Sequence, residues 1–552
     1  MGDKRPSSIL RLSHSPILSF SHSLLLLLLS AIFFFYRLGS FALIGPDEPR
    51  YAQVAREMLQ RGDLVTPTIG NRPWLEKPAL LYWLMMMSMR LLGVNEWAAR
   101  LPSALMATLA VVVVYYTGKR VVSSRFGFLS GIVLIVNLMF VSFAHGASTD
   151  MPLTGMVTLG LCSFFLFDAQ PDGRKDRWIL AAYAWVGLAL LAKGLIGVML
   201  PVCIIGAYLL LTRRLGALRE MRLLWGLVIL LAVASTWYVP VIARHGWAFV
   251  NEFFISHHFQ RFTASQFHHP GPVYYFIPVI LVGIFPWTML LISAFARLRW
   301  SQLQAGDPRN RLQWFCAVWM VGPMLFFSFS GSKLPGYVLP VLPAAAFLVA
   351  GELERLLEAG ADRALRLSLY ITSALIAVIG VAGVVYARRE LEADGVANAL
   401  LLAVIGVTGA VLLYFSRIEK FRAAMASLVI GCAVGLALVS HFYLPAIAEK
   451  ESLHSLAETA LREMRPGEKI VGYYYFHHTL TFYTNAHSFY DEKGNVIIAA
   501  SPDELISRVR EEGSVLCVTQ QRVWKDMMKD ARLQVQFIGQ QRDIVLVRLE
   551  GK

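Results

Sequence analysis

The chain has 552 residues, of which 56% are hydrophobic and only 16% are charged. About one quarter of the residues in an average soluble protein are charged, so this composition excludes a large soluble enzyme, a disordered chain and a disulfide scaffold. A membrane protein with many helices fits instead. The net charge of +14 then predicts basic cytoplasmic loops that face anionic lipid, with no nucleic-acid partner.

The first apolar run, residues 17–37, follows three basic residues near the N-terminus. It resembles a signal peptide, but it is long enough to span a bilayer and no small-residue cleavage site follows it. We therefore predict an uncleaved first helix that enters from the cytoplasm. Hydropathy predicts twelve further spans, at residues 101–117, 126–143, 151–168, 178–193, 195–212, 222–242, 272–297, 313–330, 337–351, 366–386, 397–415 and 422–446.

The apolar stretch 79–93 is shorter than the roughly 20 residues that a span needs, so we assign it to an interfacial helix on the outer surface. With thirteen spans and a cytoplasmic N-terminus, the inner loops hold most of the basic residues, as the positive-inside rule requires. This arrangement places four segments on the outer side: the loop 38–100, the turn 145–150, the loop 243–271 and the tail from about residue 447.

The tail differs in composition from the rest of the chain, because charged residues return and short β-rich runs alternate with helical patterns. Ser501, with Glu504 three residues later, is typical of a helix N-terminus. We predict a transmembrane domain over 1–446, which includes the loop 38–100, and a small periplasmic α/β domain over 447–552. The predicted fold is a polytopic α-helical membrane protein with about thirteen transmembrane helices and this C-terminal domain.

The loop 38–100 concentrates acidic and basic residues in a chain with few charges. Asp47 and Glu48 are adjacent carboxylates after a Gly-Pro turn, and Arg50 and Tyr51 follow on a short amphipathic helix. Carboxylates at a helix N-terminus are also ordinary caps, and for Glu48 alone this alternative stays open. Capping does not explain why both signs of charge cluster here, so we favour a functional site.

Further polar residues lie where the chain meets the outer membrane face. The pair Glu76-Lys77 begins the predicted interfacial helix. Asp150 begins a membrane helix, where an N-cap is the alternative to a functional role. Lys193 lies between two apolar runs, where it either extends to the interface or binds an anion.

Two more outer segments carry candidates. Lys333 and Tyr337 lie where a helix re-enters the membrane, and the alternative for Lys333 is a lysine that extends to the interface. The loop 243–271 carries His257 and Arg261 among aromatic residues. Its histidines match no standard zinc spacing, so interfacial polar residues and metal ligands both stay open.

These groups suit an anionic, lipid-linked substrate. If a sugar is carried on a lipid phosphate, a carboxylate such as Asp47 orients or deprotonates the acceptor. No nucleotide-sugar loop, Walker sequence or dinucleotide fingerprint is apparent, so no nucleotide cofactor is expected. The cations available to stabilise the departing phosphate are Lys77, Arg50, Lys193 and Lys333.

Four segments, in order, resemble the motifs of the bacterial aminoarabinose transferases: GPDEPRYA, NRPWLEKPALLYWL, HGASTDMPL and SKLPGYVLPVLPA. These enzymes belong to the polyprenyl-phosphate-dependent glycosyltransferases of the GT-C fold, which include the protein O-mannosyltransferases. The resemblance covers about residues 30–345 in motifs and the whole chain in architecture. It implies an inner-membrane enzyme that moves 4-amino-4-deoxy-L-arabinose from undecaprenyl phosphate to lipid A phosphate on the periplasmic side and confers polymyxin resistance.

The resemblance also implies roles for single residues. Asp47 and Asp150 match two functional aspartates of the family, and Glu48 is added as a catalytic candidate. Glu76 and, by rough position only, His257 are the implied ligands of a divalent metal. For substrate binding the resemblance implies Lys77, Arg50 and Tyr337. Further candidates, chosen from the residues themselves, are Tyr51, Lys193, Lys333 and Arg261.

Other functions stay open at this point. Transporters concentrate charge near the bilayer midplane and often contain repeats, whereas the charges here lie in outer loops, which disfavours a secondary transporter. Within the enzyme class, the alternative is a protein O-mannosyltransferase or another sugar transferase with a different cell-surface acceptor. A lipid A phosphate is already an anion, whereas a hydroxyl acceptor needs a base. Asp47 suits either, so the sequence does not decide the acceptor.

Overall fold

The computed structural model describes residues 16–169, 175–253, 271–303, 307–391, 394–485, 490 and 496–551. Its packing divides the chain into two compact units. The first, here called the helical unit, holds the described residues of Met1–Leu38, Glu76–Leu81 and Arg100–Phe442. The second, the loop-tail unit, holds those of Gly39–Leu75, Tyr82–Ala99 and Tyr443–Lys552. The predicted domain boundary at residue 446 stays a prediction.

Helices make up most of the described chain. In chain order they are α1 (Pro16–Ser30), α2 (Asp47–Arg61), α3 (Leu80–Leu92), α4 (Glu96–Val121), α5 (Ser124–Ile135), α6 (Leu138–Ala144), α7 (Asp150–Ala169), α8 (Lys175–Lys193), α9 (Ile196–Leu211), α10 (Leu223–Phe249), α11 (Phe276–Gly283), α12 (Thr288–Ala296), α13 (Pro308–Ser328), α14 (Leu342–Ala359), α15 (Arg363–Glu390), α16 (Gly395–Arg417), α17 (Phe421–Leu438), α18 (Leu444–Glu451), α19 (His454–Glu463), α20 (His478–Tyr483), α21 (Pro502–Glu512) and α22 (Gln521–Met527). Shorter 3-10 or π segments are Ala31–Phe35, Leu215–Arg219, Trp300–Gln302, Pro335–Val341 and Val439–Tyr443.

Each of the thirteen predicted runs contains a helix, and the stretch 79–93 forms the separate helix α3 of 13 residues. Within the described chain, however, only seven helices are long and apolar enough to cross a membrane, or nine if each of two bent pairs is one span. The count of thirteen is therefore not confirmed. One reason is length: Phe20–Phe35 and Ile196–Leu211 are shorter apolar helices, below the roughly 20 residues of a straight span.

The two bent spans stabilise each other at their breaks. Helices α5 and α6 meet at 67°, and α11 and α12 meet at 117°. The amide of Leu138 donates to the carbonyl of Phe285 at 3.0 Å, and the indole N–H of Trp287 donates to the carbonyl of Val136 at 2.6 Å. Because a break in a membrane helix exposes backbone groups that lipid cannot satisfy, pairing the two breaks lowers the penalty for both.

A buried carboxylate fixes three helices near the end of α7. The side chain of Asp168 is 1% exposed and forms ion pairs with Arg214, at 2.6 Å, and with Arg311. The hydroxyl of Tyr208, on α9, donates to it at 3.0 Å. Two of the arginines that the sequence assigns to cytoplasmic loops thus bind a protein carboxylate, so these loops do not offer all their charge to lipid.

The tail forms the predicted α/β fold, built on a mixed sheet, and the first loop contains a separate two-stranded hairpin. The strands, in chain order, are β1 (Thr68–Ile69), β2 (Arg72–Pro73), β3 (Lys469–Tyr473), β4 (Ile498–Ala499), β5 (Ser514–Gln520), β6 (Leu533–Gln541) and β7 (Ile544–Gly551). The five strands of the tail lie in the order β4-β3-β5-β7-β6. Strand β3 runs parallel to β4 and β5, while β7 is antiparallel to β5 and β6. Ser501 accepts a hydrogen bond from the amide of Glu504 at 3.2 Å, which confirms the predicted start of α21.

One ion pair is buried within this sheet domain. Arg548 on β7 donates to both carboxylate oxygens of Glu468, at 2.9 and 3.2 Å. Burial alone would raise the pKa of Glu468. Hydrogen bonds from Arg548, from the amide of Arg465 and from Ser514 outweigh burial and lower that pKa.

Glu468→Gln is expected to loosen the sheet, because removing one partner of a buried pair leaves an uncompensated charge and costs about 3–5 kcal/mol. Hydrogen exchange of β5 and β7 in the full chain should accelerate on the order of a hundredfold or more. The lowered pKa of Glu468 also makes the stability of the sheet depend on pH. The stabilising contribution of the ion pair is fully present above pH 4.5, the ordinary pKa of a glutamate. It is lost as the pH falls through the lower pKa that Glu468 has in the folded protein. Equal hydrogen exchange of β5 and β7 in the variant and the wild type at pH 7 would contradict a stabilising role for the pair of Glu468 and Arg548.

Candidate active site

Four predicted residues of the first loop lie together at the start of α2, in the loop-tail unit: Asp47, Glu48, Arg50 and Tyr51. Asp47 is the first residue of the helix, and its carboxylate forms an ion pair with Arg50 one turn later. The guanidinium of Arg50 lies 5.4 Å from the ring centres of both Tyr51 and Trp74. The aromatic rings fix this cation beside a carboxylate whose side chain is 55% exposed.

Glu48 has a structural contact in the same turn. Its Oε2 accepts a hydrogen bond at 2.8 Å from the amide of Ile44, which precedes the helix. The bound amide lies two residues before Pro46, the N-cap of α2, and is not one of the helix's own free amides, so the contact does not decide the capping alternative. Its catalytic role stays a prediction.

Glu57 organises the hairpin of β1 and β2, and sequence reasoning missed it. Its buried carboxylate accepts four hydrogen bonds, at 2.7 to 3.1 Å, from the Gln53 amide group, the Thr68 hydroxyl and the amides of Gly70 and Asn71. The hairpin leads directly into Trp74, whose amide donates to Pro67. Trp74 was also missed, although it lies inside the segment NRPWLEKP and supports Arg50.

The helical unit brings together three other predicted residues. Asp150 at the first position of α7 pairs with Lys193 at the last position of α8. The ammonium of Lys193 lies 5.4 Å from the ring centre of Tyr337, in the 3-10 segment Pro335–Val341. The side chains of Asp150 and Lys193 are 17% and 19% exposed, so the pair is sheltered but still reachable.

Gly336 makes room for this carboxylate. A Cβ atom at position 336 would lie 2.8 Å from the Cγ atom of Asp150, a distance that real side chains do not tolerate. The glycine in the segment SKLPGYVLP therefore has a packing reason beside Asp150.

Two further lysines that the sequence predicts as phosphate ligands bind groups of the protein itself. Lys77 donates to the carboxylate of Glu76 at 2.7 Å, and both side chains are largely buried. Lys333 is buried, and its ammonium donates to the carbonyl of Ser330 at 2.7 Å. The alternative for Lys333 is a side chain that extends to the membrane interface, whereas the structure shows its ammonium buried and bound to a backbone carbonyl.

The predicted residues of the loop 243–271, His257 and Arg261, lie outside the described residues. Among the residues that are described, no group of three or more His, Cys, Asp and Glu side chains is arranged to hold a metal. Of the predicted ligands, Glu76 is bound to Lys77. The metal therefore stays a prediction, and no step below depends on it.

Comparisons with known proteins identify the family. The undecaprenyl phosphate-alpha-4-amino-4-deoxy-L-arabinose arabinosyl transferase of Pectobacterium carotovorum is 30% identical over 77% of this chain and 76% of that protein. The enzyme of the same name from Erwinia tasmaniensis is 31% identical with the same coverage. The chain belongs to this arabinosyl transferase family. The sequence model of the dolichyl-phosphate-mannose-protein mannosyltransferases also matches residues 76–239, which include Glu76, Lys77, Asp150 and Lys193.

Solved structures agree with this transferase assignment. The crystal structure of ArnT from Cupriavidus metallidurans bound to undecaprenyl phosphate has a TM-score of 0.78 and 26% identity, covering 95% of this chain and 97% of that one. An oligosaccharyltransferase from Archaeoglobus fulgidus, at 12% identity, has a TM-score of 0.52 and shares the fold. The predicted GT-C fold is confirmed, and the family membership decides against a transporter.

Two glycine-to-alanine substitutions of this transferase should differ in their effect on its stability. Gly336→Ala forces a Cβ against Asp150 and should destabilise the protein by about 1–3 kcal/mol. Gly322→Ala, inside α13, is the matched control, because the nearest atom to its new Cβ would be 3.8 Å away. Alanine in a helix interior should be neutral there or stabilise by up to about 1 kcal/mol. Melting temperatures in one detergent would test both, and a Gly336→Ala protein as stable as wild type would refute the clash.

Proposed function

We propose that this transferase moves 4-amino-4-deoxy-L-arabinose from undecaprenyl phosphate to a phosphate of lipid A. The observation that carries the proposal is its similarity to enzymes named for the arabinose transfer, at 30% identity over 77% of the chain. The fold shared with ArnT bound to undecaprenyl phosphate, at a TM-score of 0.78, supports the donor. Masking the negative charge of lipid A would then give resistance to polymyxin.

In the proposed reaction the bond between sugar C1 and the donor phosphate oxygen breaks, and C1 bonds to an oxygen of the acceptor phosphate. Undecaprenyl phosphate leaves with the electron pair. Its charge needs a cation, and Lys77 is the residue assigned to it. Glu76, bonded to Lys77 at 2.7 Å, fixes the ammonium, so binding the phosphate needs little further ordering.

Asp47 is proposed to orient the acceptor. A lipid A phosphate is already ionised, so positioning is more important than proton removal. The ion pair of Asp47 with Arg50 supports this role, because the guanidinium offsets the repulsion between the carboxylate and an anionic acceptor.

Asp150 is proposed to act beside the sugar. Its pairing with Lys193 holds the carboxylate in a sheltered setting, where negative charge stabilises an oxocarbenium-like transition state. Tyr337, beneath the ammonium, limits how far Lys193 can move. The pair thus supplies a negative charge whose position is set before substrate binds.

The proposed reaction takes place at the periplasmic face of the bacterial inner membrane. The excess of basic residues in alternate loops supports a cytoplasmic N-terminus, with the C-terminus and the active site in the periplasm.

Mass spectrometry of lipid A tests the proposed function. Cells with the gene should show the aminoarabinose mass increment, and cells without it should not. Asp47→Asn and Asp150→Asn should each lower transfer by on the order of a hundred- to ten-thousand-fold, because the amide carries no negative charge. Asp176→Asn is the matched control: Asp176 pairs with Arg222 in an exposed position on α8, and transfer should persist.

Immunoblots must show equal amounts of each protein in the membrane. Normal transfer by both Asn variants would mean that the two aspartates only cap helices. A gene-dependent change in a glycosylated protein, with lipid A unaltered, would support the protein O-mannosyltransferase alternative.

Lys77→Ala should lower kcat/KM for the lipid-linked donor by about 10- to 150-fold, the range for losing a hydrogen bond to a charged group. Lys469→Ala offers a matched control, because Lys469 also pairs with a glutamate, Glu512, at 2.6 Å, in the sheet domain. Purified proteins should be compared across donor concentrations at a temperature well below the melting temperature of each, because loss of Lys77 also removes the ammonium that binds the largely buried Glu76. Wild-type kinetics of Lys77→Ala would show that this lysine does not bind the donor phosphate.

A further inference from the structure

A short helix of the tail makes polar contacts with the first loop. Helix α20, His478–Tyr483, and the next two residues belong to the same compact unit as α2. Two of these contacts lie on either side of Asp47, one before it and one after it. Each contact is a specific polar interaction and not only apolar packing.

The first point is Tyr483. Its hydroxyl accepts a hydrogen bond at 2.9 Å from the amide of Leu43, four residues before Asp47. The same hydroxyl donates to the carboxylate of Glu96 at 2.7 Å. One side chain of the tail thus holds the backbone that leads into α2 and ties it to the start of α4.

The second point is Arg56, nine residues after Asp47 on α2. Its guanidinium donates to Asn485 Oδ1 at 2.9 Å and to the carbonyl of Phe482, and it lies 4.4 Å from the Phe482 ring centre. Burial lowers the pKa of Arg56 to about 10, so the side chain is still charged at neutral pH. A buried cation with partners in this geometry fixes the helix in register and rotation.

We propose that Tyr483 and Arg56 are positioning residues, through which helix α20 of the tail fixes the place of Asp47 for transfer. The proposal rests on the proposed function of Asp47. The two points fix α2 at both ends of the segment that carries Asp47 and Arg50. Neither residue needs to touch a substrate, so their loss affects the rate of the chemical step more than donor binding.

Tyr483→Phe is the sharpest test, because it removes one oxygen atom and keeps the ring. The variant should keep the melting temperature of the wild type within a few degrees. The Leu43 amide loses its partner, so hydrogen exchange of the peptide covering residues 39–50 should accelerate by about 2- to 10-fold. The kcat of transfer should fall by a similar factor, while KM for the lipid-linked donor stays unchanged.

Tyr474→Phe is the matched control, since Tyr474 is half-exposed in the same domain; both its exchange and its kcat should equal those of the wild type. If Tyr483→Phe fails to fold, Arg56→Lys provides the same test, because lysine keeps the charge but cannot reproduce the paired contacts to Asn485 and Phe482.

The outcomes separate the two proposals. Faster exchange of residues 39–50 with an unchanged kcat would overturn the positioning role, and so would unchanged exchange. A fall in kcat with an equal rise in donor KM would also overturn it, because it would indicate donor binding. If wild-type protein transfers no aminoarabinose to lipid A, the proposed function fails instead, and the exchange measurement still reports whether the tail holds the loop.

Discussion

The ion pair between Asp150 and Lys193 is the contact on which the site in the helical unit depends. Consecutive helices α7 and α8 run in opposite directions, so the first residue of one and the last residue of the other lie at the same end. Each charge also has the sign that its helix end favours, a carboxylate at an N-terminus and an ammonium at a C-terminus. The chain thus stabilises two charges in a largely apolar setting by pairing the ends of two neighbouring helices. The nearby segment Pro335–Val341 contributes the glycine that leaves space for the pair and the tyrosine beside it.

The two ends of α7 show how burial separates a structural carboxylate from one suited to chemistry. Asp168 lies 18 residues after Asp150, or about 27 Å along a helix, close to the thickness of the hydrocarbon core. Near a helix C-terminus a carboxylate is disfavoured by the dipole, and Asp168 is bound by two arginines and a tyrosine. Its side chain is 1% exposed, against 17% for Asp150. Asp168 is therefore enclosed by the protein, whereas Asp150 can still meet a ligand.

Much of this architecture could be predicted from the sequence, because hydropathy and strand patterns are local. The helices, the α/β tail and the start of α21 at Ser501 follow from such patterns. The bends at Asn137 and near Phe285 do not, since they involve hydrogen bonds between segments far apart in the sequence. A count of spans from hydropathy alone gives thirteen. In the described part of the chain, seven helices are long and apolar enough to cross a membrane, or nine if each bent pair is one span, and other apolar runs form shorter helices.

The candidate site shows the same limit. The motifs contain Asp47, Lys77 and Asp150, because reactive groups are visible as residue types, and Lys193 is visible as a lone charge between two apolar runs. The motif segments also contain Trp74 and Gly336, but nothing in residue type tells that one supports Arg50 and the other makes room for Asp150. Glu57 looks like any polar residue on an amphipathic helix until its four hydrogen bonds are seen.

The loop-tail unit shows why a membrane transferase needs a folded domain outside its helices. The loop from Gly39 to Leu75 contains one helix and a hairpin of two-residue strands, which is too little apolar surface to order a chain by itself. Its buried polar groups, Arg56 and Glu57, need defined partners, because an unpaired buried charge costs far more than the pairing returns. The hairpin satisfies Glu57 from within the loop. Arg56 finds its partners in the tail, whose own sheet and buried core make those partners rigid. A rigid tail thereby gives an otherwise weakly folded loop one defined geometry.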